Sequence, residues 1–451
     1  MSAGARPTFL QRLTASAGLS ALFVVVYGGC NWITAHRIGV PTINFAWERH
    51  IPFLPLFIAP YLSIDLFFIA APFLCATHRE LATFTRRIAA AIGIAGICFL
   101  LFPLRFAFAR PRASGWLGTA FDRFRALDQP YNLVPCLHVA LCLLLAEVYL
   151  RHARGTLRVA LGIWFALIAA SALFTWQHHV IDVIAGMFLA ACCSYTFREQ
   201  LPHVAPTTNR RIGVYYLAGA AGLLGVGVAF RPVSAVMAWS AAALGLVAQG
   251  YYGLGGSVFR KTDGAIPWST AVLFLPCLAG QHISRLYYRR RSRLWDQITP
   301  NVWIGGVLNN REAAEAVNSG VTAVLDLTAE FSAPRAFRSV IYRNIPILDL
   351  TAPTARQLFD MAAWIAEHAQ RGIVYVHCKI GYSRSAGAVA AYLMLNRLAA
   401  DLDRALSVIR IARPGVIIRP EIIAALRQLE AAASFSSPPE SAEQNIAAAT
   451  L

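Results

Sequence analysis

Lysine is almost missing from this chain: of 40 basic residues only two are lysine, at 261 and 379, and the rest are arginine. Acidic residues are scarce as well, 23 in all, and only 14% of the 451 residues carry charge. So little charge beside 57% hydrophobic residues excludes a disordered chain and leaves the composition of a membrane protein with room for a second domain. The arginine surplus does not point to nucleic acid. Those arginines stand between apolar runs and at their ends, where they set topology and meet anionic lipid. Paired cysteine spacing is absent too. Eight of the nine cysteines lie in or beside apolar runs, which argues against a disulfide framework and makes them small packing residues, with Cys378 the exception. No small-residue cleavage site follows Arg6, Arg12 and the first apolar run, so that segment reads as an uncleaved first helix.

Apolar runs of spanning length are present near 18–35, 52–75, 88–108, 132–150, 157–176 and 179–196, and again near 212–230 and 234–253. A weaker run near 266–283 is broken by Pro276, Gly280 and Gln281 and reads as interfacial. The basic stretch RLYYRRRSR follows it. From about Trp295 the pattern changes to that of a soluble α/β domain. VTAVLDL and GIVYVH read as buried strands, and PTARQLFDMAAWIAEHAQ reads as an amphipathic helix with Pro353 in its first turn. Helical patterns follow at 385–398, 401–412 and 420–433. The expected division is a membrane domain over 1–200, further helices and a basic linker over 201–290, the α/β domain over 291–433 and a disordered tail over 434–451. The fold class is therefore an all-α polytopic membrane domain followed by a soluble α/β domain.

Residues 374–385 read VYVHCKIGYSRS. A cysteine after a strand, five residues, then Arg-Ser before a helix is a phosphate-holding arrangement. Cys378 would attack phosphorus as a thiolate, while the Arg384 fork and the loop amides hold the non-bridging oxygens. Gly381 lets the backbone curl round the anion, His377 and Lys379 beside Cys378 are expected to help bind the substrate, and Ser385 can donate to the departing thiolate. The leaving oxygen needs a proton. Asp349, in ILDLTAPT, is the expected donor, and Asp326 is expected to be a structural strand-end residue. These residues closely resemble the dual-specificity branch of cysteine-dependent phosphatases, over about 295–432, including the start ITPNVWIGGVLNN. Within that branch the motifs look most like the mitochondrial phosphatase that acts on phosphatidylglycerophosphate, which implies a lipid phosphate monoester. Tyr382 stands where that relative has a basic residue, leaving phosphoprotein and inositol-phosphate substrates open.

A second constellation lies in the apolar half. VPCLHVA places His138 at the start of one span, and SALFTWQHHVIDVIAG places His178 and Asp182 four residues apart on one face of another helix start. With Asp182 orienting it, His178 would be a nucleophile toward phosphorus. His138 would protonate the leaving oxygen, and Arg110 in ARPR would hold phosphate. His179 is expected to be a polar interface residue. These segments resemble the membrane phosphatidic-acid phosphatase superfamily over about 50–200, especially its branch of inositol-phosphorylceramide and sphingomyelin synthases. Cys136 and Ala172 depart from that pattern, which has serine and arginine there. Fewer cations favour a phosphodiester, and hence head-group transfer, over a dianionic monoester.

With the N-terminus inside, THRELATFTRR and RHARGTLR fall in inward loops, eight spans return the chain inside, and the histidine site faces outward. Cys378 is then in the reducing cytoplasm of a cell whose inner or plasma membrane holds the chain. The expected function is a bifunctional membrane enzyme of lipid phosphate metabolism, its partners a phosphorylated substrate and anionic lipids, with no nucleic acid, no metal and no cofactor. Two alternatives stand beside it. One is a membrane-anchored phosphoprotein phosphatase with a degenerate lipid-sensing half, and the other is a lipid-binding scaffold. Oligomeric state is not legible in the sequence.

Overall fold

The computed structural model describes residues 5–199 and 208–436. The chain divides into two compact units, Met1–Gln200 and Leu201–Leu451. The middle of the expected linker, FREQLPHVAPTTNRR, and the tail beyond Ser436 lie outside the described residues.

The first unit is helical. α1 (Phe9–Phe23) passes through a π-helical turn into α2 (Gly29–Ala35), and α3 (Ile58–Leu74), α4 (His78–Leu101), α5 (Gly115–Leu127), α6 (Leu137–His152), α7 (Gly155–Phe174) and α8 (Val180–Thr196) follow. Five helices among the described residues are long and apolar enough to cross a membrane: Phe9–Ala35, Pro55–Leu74, His78–Leu101, Gly155–Phe174 and, in the second unit, Arg210–Ala229. Leu66, Ile69, Ile97 and Ile163 stand exposed on these helices, as lipid-facing side chains do.

Three local expectations change. THRELATFTRR is not a loop. Thr77 accepts a hydrogen bond from the Glu80 amide and starts α4 there. The same span, expected to reach 108, ends at Leu101 because Pro103 disfavours helical backbone just before it. α5 was not legible as a span because it is short and amphipathic; its buried Phe121 packs against Phe53 and an apolar cluster holding Tyr61.

One end of this unit is knitted by charge. Arg87 on α4 pairs with Glu147 on α6 and donates to main-chain carbonyls at Ser194 and Phe197, while Glu80 takes Arg151 at 3.2 Å and His152 at 2.8 Å. His138 and His178 belong to the opposite ends of α6 and α8.

The second unit opens with a helical hairpin, α9 (Arg210–Ala229) and α10 (Ser234–Gln249), and continues through irregular turns to α11 (Trp268–Leu273) and α12 (Leu275–Arg289). The weak run expected near 266–283 thus becomes two helices that meet at Phe274, just before Pro276, and α12 extends into the basic stretch.

A five-stranded sheet follows, formed by β1 (Trp295–Thr299), β2 (Val302–Gly305), β3 (Val321–Thr328), β4 (Ile341–Ile347) and β5 (Ile373–His377) in the order β1-β2-β5-β3-β4. Only β1 runs antiparallel to its neighbour. Side chains alternate across it. Leu325, Val374 and Val376 face α14 (Ala355–Ala369), α15 (Arg384–Leu395), α16 (Leu402–Ala412) and α17 (Pro420–Ser436), whereas Val324 and Tyr375 face α13 (Asn310–Asn318). Pro353 lies just ahead of α14 rather than in its first turn, since Thr354 caps the helix in a reciprocal box with Gln357. The expected tail begins later than Ser434, because α17 runs through Ser436.

Candidate functional site: two phosphoester constellations

β5 ends at His377 and α15 begins at Arg384, so residues 378–383 form a short loop at the carboxyl edge of a parallel sheet. No side chain caps α15, which leaves its first-turn amides for an anion. Gly381 has φ +84° and a Cβ there would stand 2.6 Å from the Gly305 backbone, so both conformation and space demand glycine. Its N–H donates to the Cys378 Sγ at 3.3 Å, and the Ser385 Oγ lies 3.3 Å from the same sulfur.

Arg384 is buried and held from three sides. It donates to Glu330 at 2.7 and 3.1 Å and to the carbonyls of Ile347 and Leu327, and lies 3.4 Å from an Asp349 oxygen. Burial pushes the Cys378 thiol up, but Arg384 and the hydrogen bonds from Ser385 and Gly381 outweigh it, leaving the thiol below its ordinary value. Asp349 is also depressed, because Arg384, Lys379 and the Leu350 amide overcome its desolvation.

Lys379 reaches 3.6 Å from Asp349 and donates to Gln281 on α12 at 2.7 Å. His377 is buried away from the cavity, 3.8 Å from Asp326, with no hydrogen-bond partner on either ring nitrogen among the described residues. Burial keeps it low, hence neutral. A cavity of about 370 Å³ opens over Cys378, with Asp349, Arg384, Lys379 and Tyr382 in its walls. Gln281, Tyr216 and Tyr251 complete it from the preceding helices.

Sequence reasoning did not find those helical contributions. The Tyr251 hydroxyl donates to the Asp349 carbonyl at 2.8 Å, and the Asn209 amide donates to the Leu350 carbonyl at 2.9 Å. Leu350 has φ +63°, uncommon for a branched side chain, and these two bonds hold it there. Lys261 is buried on Asp326 at 2.6 Å and also donates to Thr328. Despite its desolvation, the Lys261 ammonium keeps the Asp326 carboxyl far below the usual carboxylate range, and Tyr342 and Thr328 donate to it as well. The rarity of lysine was the available signal: both lysines stand in ion pairs around the sheet's carboxyl edge.

In the first unit His178 lies just before α8 rather than on it, yet its Nδ1 is 3.4 Å from Asp182. Asp182 also accepts from the His179 amide at 2.8 Å, so the helix cap and the histidine share one carboxylate. The His138 ring stacks on Tyr61 at 4.1 Å, and its Nε2 donates to the Ile168 carbonyl at 3.2 Å. Arg110 sits over the Phe106 ring at 5.7 Å, and its Nε has no partner among the described residues.

His179 is a buried structural residue, not an interface one. Its Nδ1 donates to Glu48 at 2.5 Å, and its Nε2 accepts from the Ala107 amide. Cys136 and Ala172 share one buried apolar cluster with Tyr61, so both departing positions belong to the same core.

Two family profiles match separate stretches: dual specificity phosphatase, catalytic domain, at residues 302–432, and the PAP2 superfamily at residues 49–196. Mouse dual specificity phosphatase 28 is 31% identical over 26% of this chain and 72% of its own length. The chain belongs to the dual specificity phosphatase family. Human dual specificity protein phosphatase 2 is 32% identical, but the match spans only 28% of this chain and 42% of that relative. The phosphatidylglycerophosphate phosphatase PTPMT2 of Arabidopsis thaliana is 27% identical over 33% of this chain and 68% of its own. Fused ahead of this dual specificity phosphatase domain is the PAP2-like domain, and helices α9–α12 fall within neither profile.

Proposed function

We propose that this chain is an integral membrane enzyme that hydrolyses a phosphate monoester at Cys378, with a second, histidine-dependent phosphoesterase or phosphotransferase site at His178. The observation that carries the first half is the Cys378 sulfur, which receives the Gly381 amide and stands beside a buried Arg384 that Glu330 has already oriented.

The Cys378 thiolate attacks phosphorus as the P–O ester bond breaks, and the Arg384 fork with the loop amides carries the equatorial charge. Asp349 gives its proton to the leaving alkoxide. Its depressed state belongs to the free protein; a bound phosphate dianion occupies Arg384 and Lys379 and restores affinity for that proton. Water then attacks the phosphocysteine, Asp349 recovers a proton from it, and Ser385 donates to the departing thiolate.

The lipid character of the substrate draws support from the PAP2-like domain and from the relative named for phosphatidylglycerophosphate. At the membrane site His178 would attack phosphorus with Asp182 orienting it, His138 would protonate the leaving oxygen, and Arg110 would hold the ester. A membrane-anchored phosphoprotein phosphatase is the second reading, favoured by the likeness to dual specificity protein phosphatase 2.

The test is quenched turnover by full-length protein in detergent, followed by mass analysis of the Cys378 peptide. A phosphate adduct at Cys378, lost in Cys378→Ser, supports the first site. Steady phosphate release without it, abolished instead by His178→Ala, overturns that assignment. Lipid phosphates and phosphopeptides compared side by side decide between the two readings.

A further inference from the structure

A second cavity, about 270 Å³, lies between α9, α10 and α12; its lining is mostly apolar, with Leu244, Val247, Phe259, Pro276 and Cys277, and the Glu330 carboxylate that also lines it is paired with Arg384. It adjoins the cavity over Cys378. Tyr216, Tyr251, Gly280, Gln281 and Asp349 border both. Tyr216 and Tyr251 stack at 5.3 Å to make one side of the neck, and Gln281, tied to Lys379, stands on the other. At Gly280 a Cβ would meet nothing within 4 Å, so the neck is open at that point. The route therefore runs from a phosphate loop, past an amphipathic rim, into an apolar space walled partly by α9, a helix long enough to cross a membrane.

We propose that this chamber takes the alkyl chain of the substrate whose phosphate is hydrolysed at Cys378. The inference rests on the monoesterase reading and adds the substrate's class: an amphiphilic phosphate monoester, with its chain bound by helices that neither family profile includes. A phosphopeptide would have to turn an apolar side chain past the neck to fill this mostly apolar space so close to the reacting phosphorus. An acyl or alkyl chain fills it, and its carbons gain from leaving water. The helices α9, α10 and α12 thus confer specificity as well as attachment.

The experiment uses the full-length protein in detergent and a series of n-alkyl phosphates of increasing length, each below its micellar concentration, with a phosphotyrosine peptide alongside. For the wild type, kcat/KM should climb about threefold to fourfold with each added methylene, which is ~0.8 kcal/mol per buried CH₂ expressed as a ratio. Leu244→Trp, which fills the chamber from α10, should flatten that climb. The quantity read is the ratio of kcat/KM for long and short chains within one preparation, so partial misfolding of the variant cancels. A flat wild-type series with phosphate still released, or a steep series that Leu244→Trp leaves steep, overturns the chamber and spares the monoesterase. A phosphopeptide turned over faster than the longest alkyl phosphate also overturns it. Release from no ester at all would remove the monoesterase reading itself.

Discussion

The two candidate phosphoester sites are assembled in opposite ways. Around Cys378 most of the anion site is main chain: a loop of six residues, a glycine that must be glycine, and a helix start without a side-chain cap. Around His178 the site is all side chain, gathered from the starts of α6 and α8 and the loop after α4, and packed against rings. Their charge differs as well. Arg384, Lys379 and Arg419 stand in the walls of the cysteine cavity, whereas Ala172 and Cys136 belong to a buried apolar cluster of the first unit. A main-chain site tolerates little change without collapse, and a side-chain site can exchange its ligands one at a time. That contrast separates the monoesterase proposed at Cys378 from the second activity proposed at His178.

The sharpest way to break the comparison is Cys378→Ser. It should reduce monoester hydrolysis more than about a thousandfold, because the nucleophile is lost while the volume is nearly kept. Residual turnover near the wild-type rate would transfer the monoesterase to the histidine site.

Asp349→Asn comes next, with a loss of roughly a hundredfold for an alkyl phosphate and little for an activated aryl phosphate, whose leaving oxygen needs no proton. The wild-type pH profile of kcat, which reads the substrate-bound protein, should fall as Asp349 loses the proton that bound phosphate restores to it. In the Asn variant the falling limb disappears. Equal losses on both substrates would make Asp349 a structural residue.

Lys261→Met tests the fold beneath the cysteine site. Leaving Asp326 buried and unpaired should cost about 3–5 kcal/mol of stability, read by denaturant unfolding. Because Asp326 is held low in the folded state, its contribution is fully present above about pH 4 and is lost as pH falls toward the folded value. The variant should show a weaker dependence over that acid range.

The smallest effect expected is that of His178→Ala on alkyl phosphate hydrolysis: none, if the sites are independent. A loss that matches the Cys378→Ser loss would join them into one pathway.

Legibility follows the same division. The gathering of Cys378, Gly381, Arg384 and Ser385 round one loop was readable because that loop is contiguous in sequence, and its spacing is its geometry. β3, β5 and the helices after Cys378 were readable from period alone. Glu330, Asn209, Tyr251 and Gln281 were not, since each reaches the site across tens of residues and no local pattern announces a partner that distant. His377 misled for a related reason. Adjacency to Cys378 suggested the cavity, but alternate strand residues point to opposite faces, and His377 shares its face with Tyr375. α5 was missed because 13 amphipathic residues resemble a surface loop until Phe53 and Tyr61 are there to receive them.

The ion pair between Lys261 and Asp326 also bears on how the chain is made. Sixty-five residues separate the two partners, so the ribosome releases the lysine, together with the α9–α10 hairpin, well before the strand that receives it. Lys261 therefore has no Asp326 to pair with until β3 has been made, and only then does this ion pair join the segment after the hairpin to the sheet beneath Cys378.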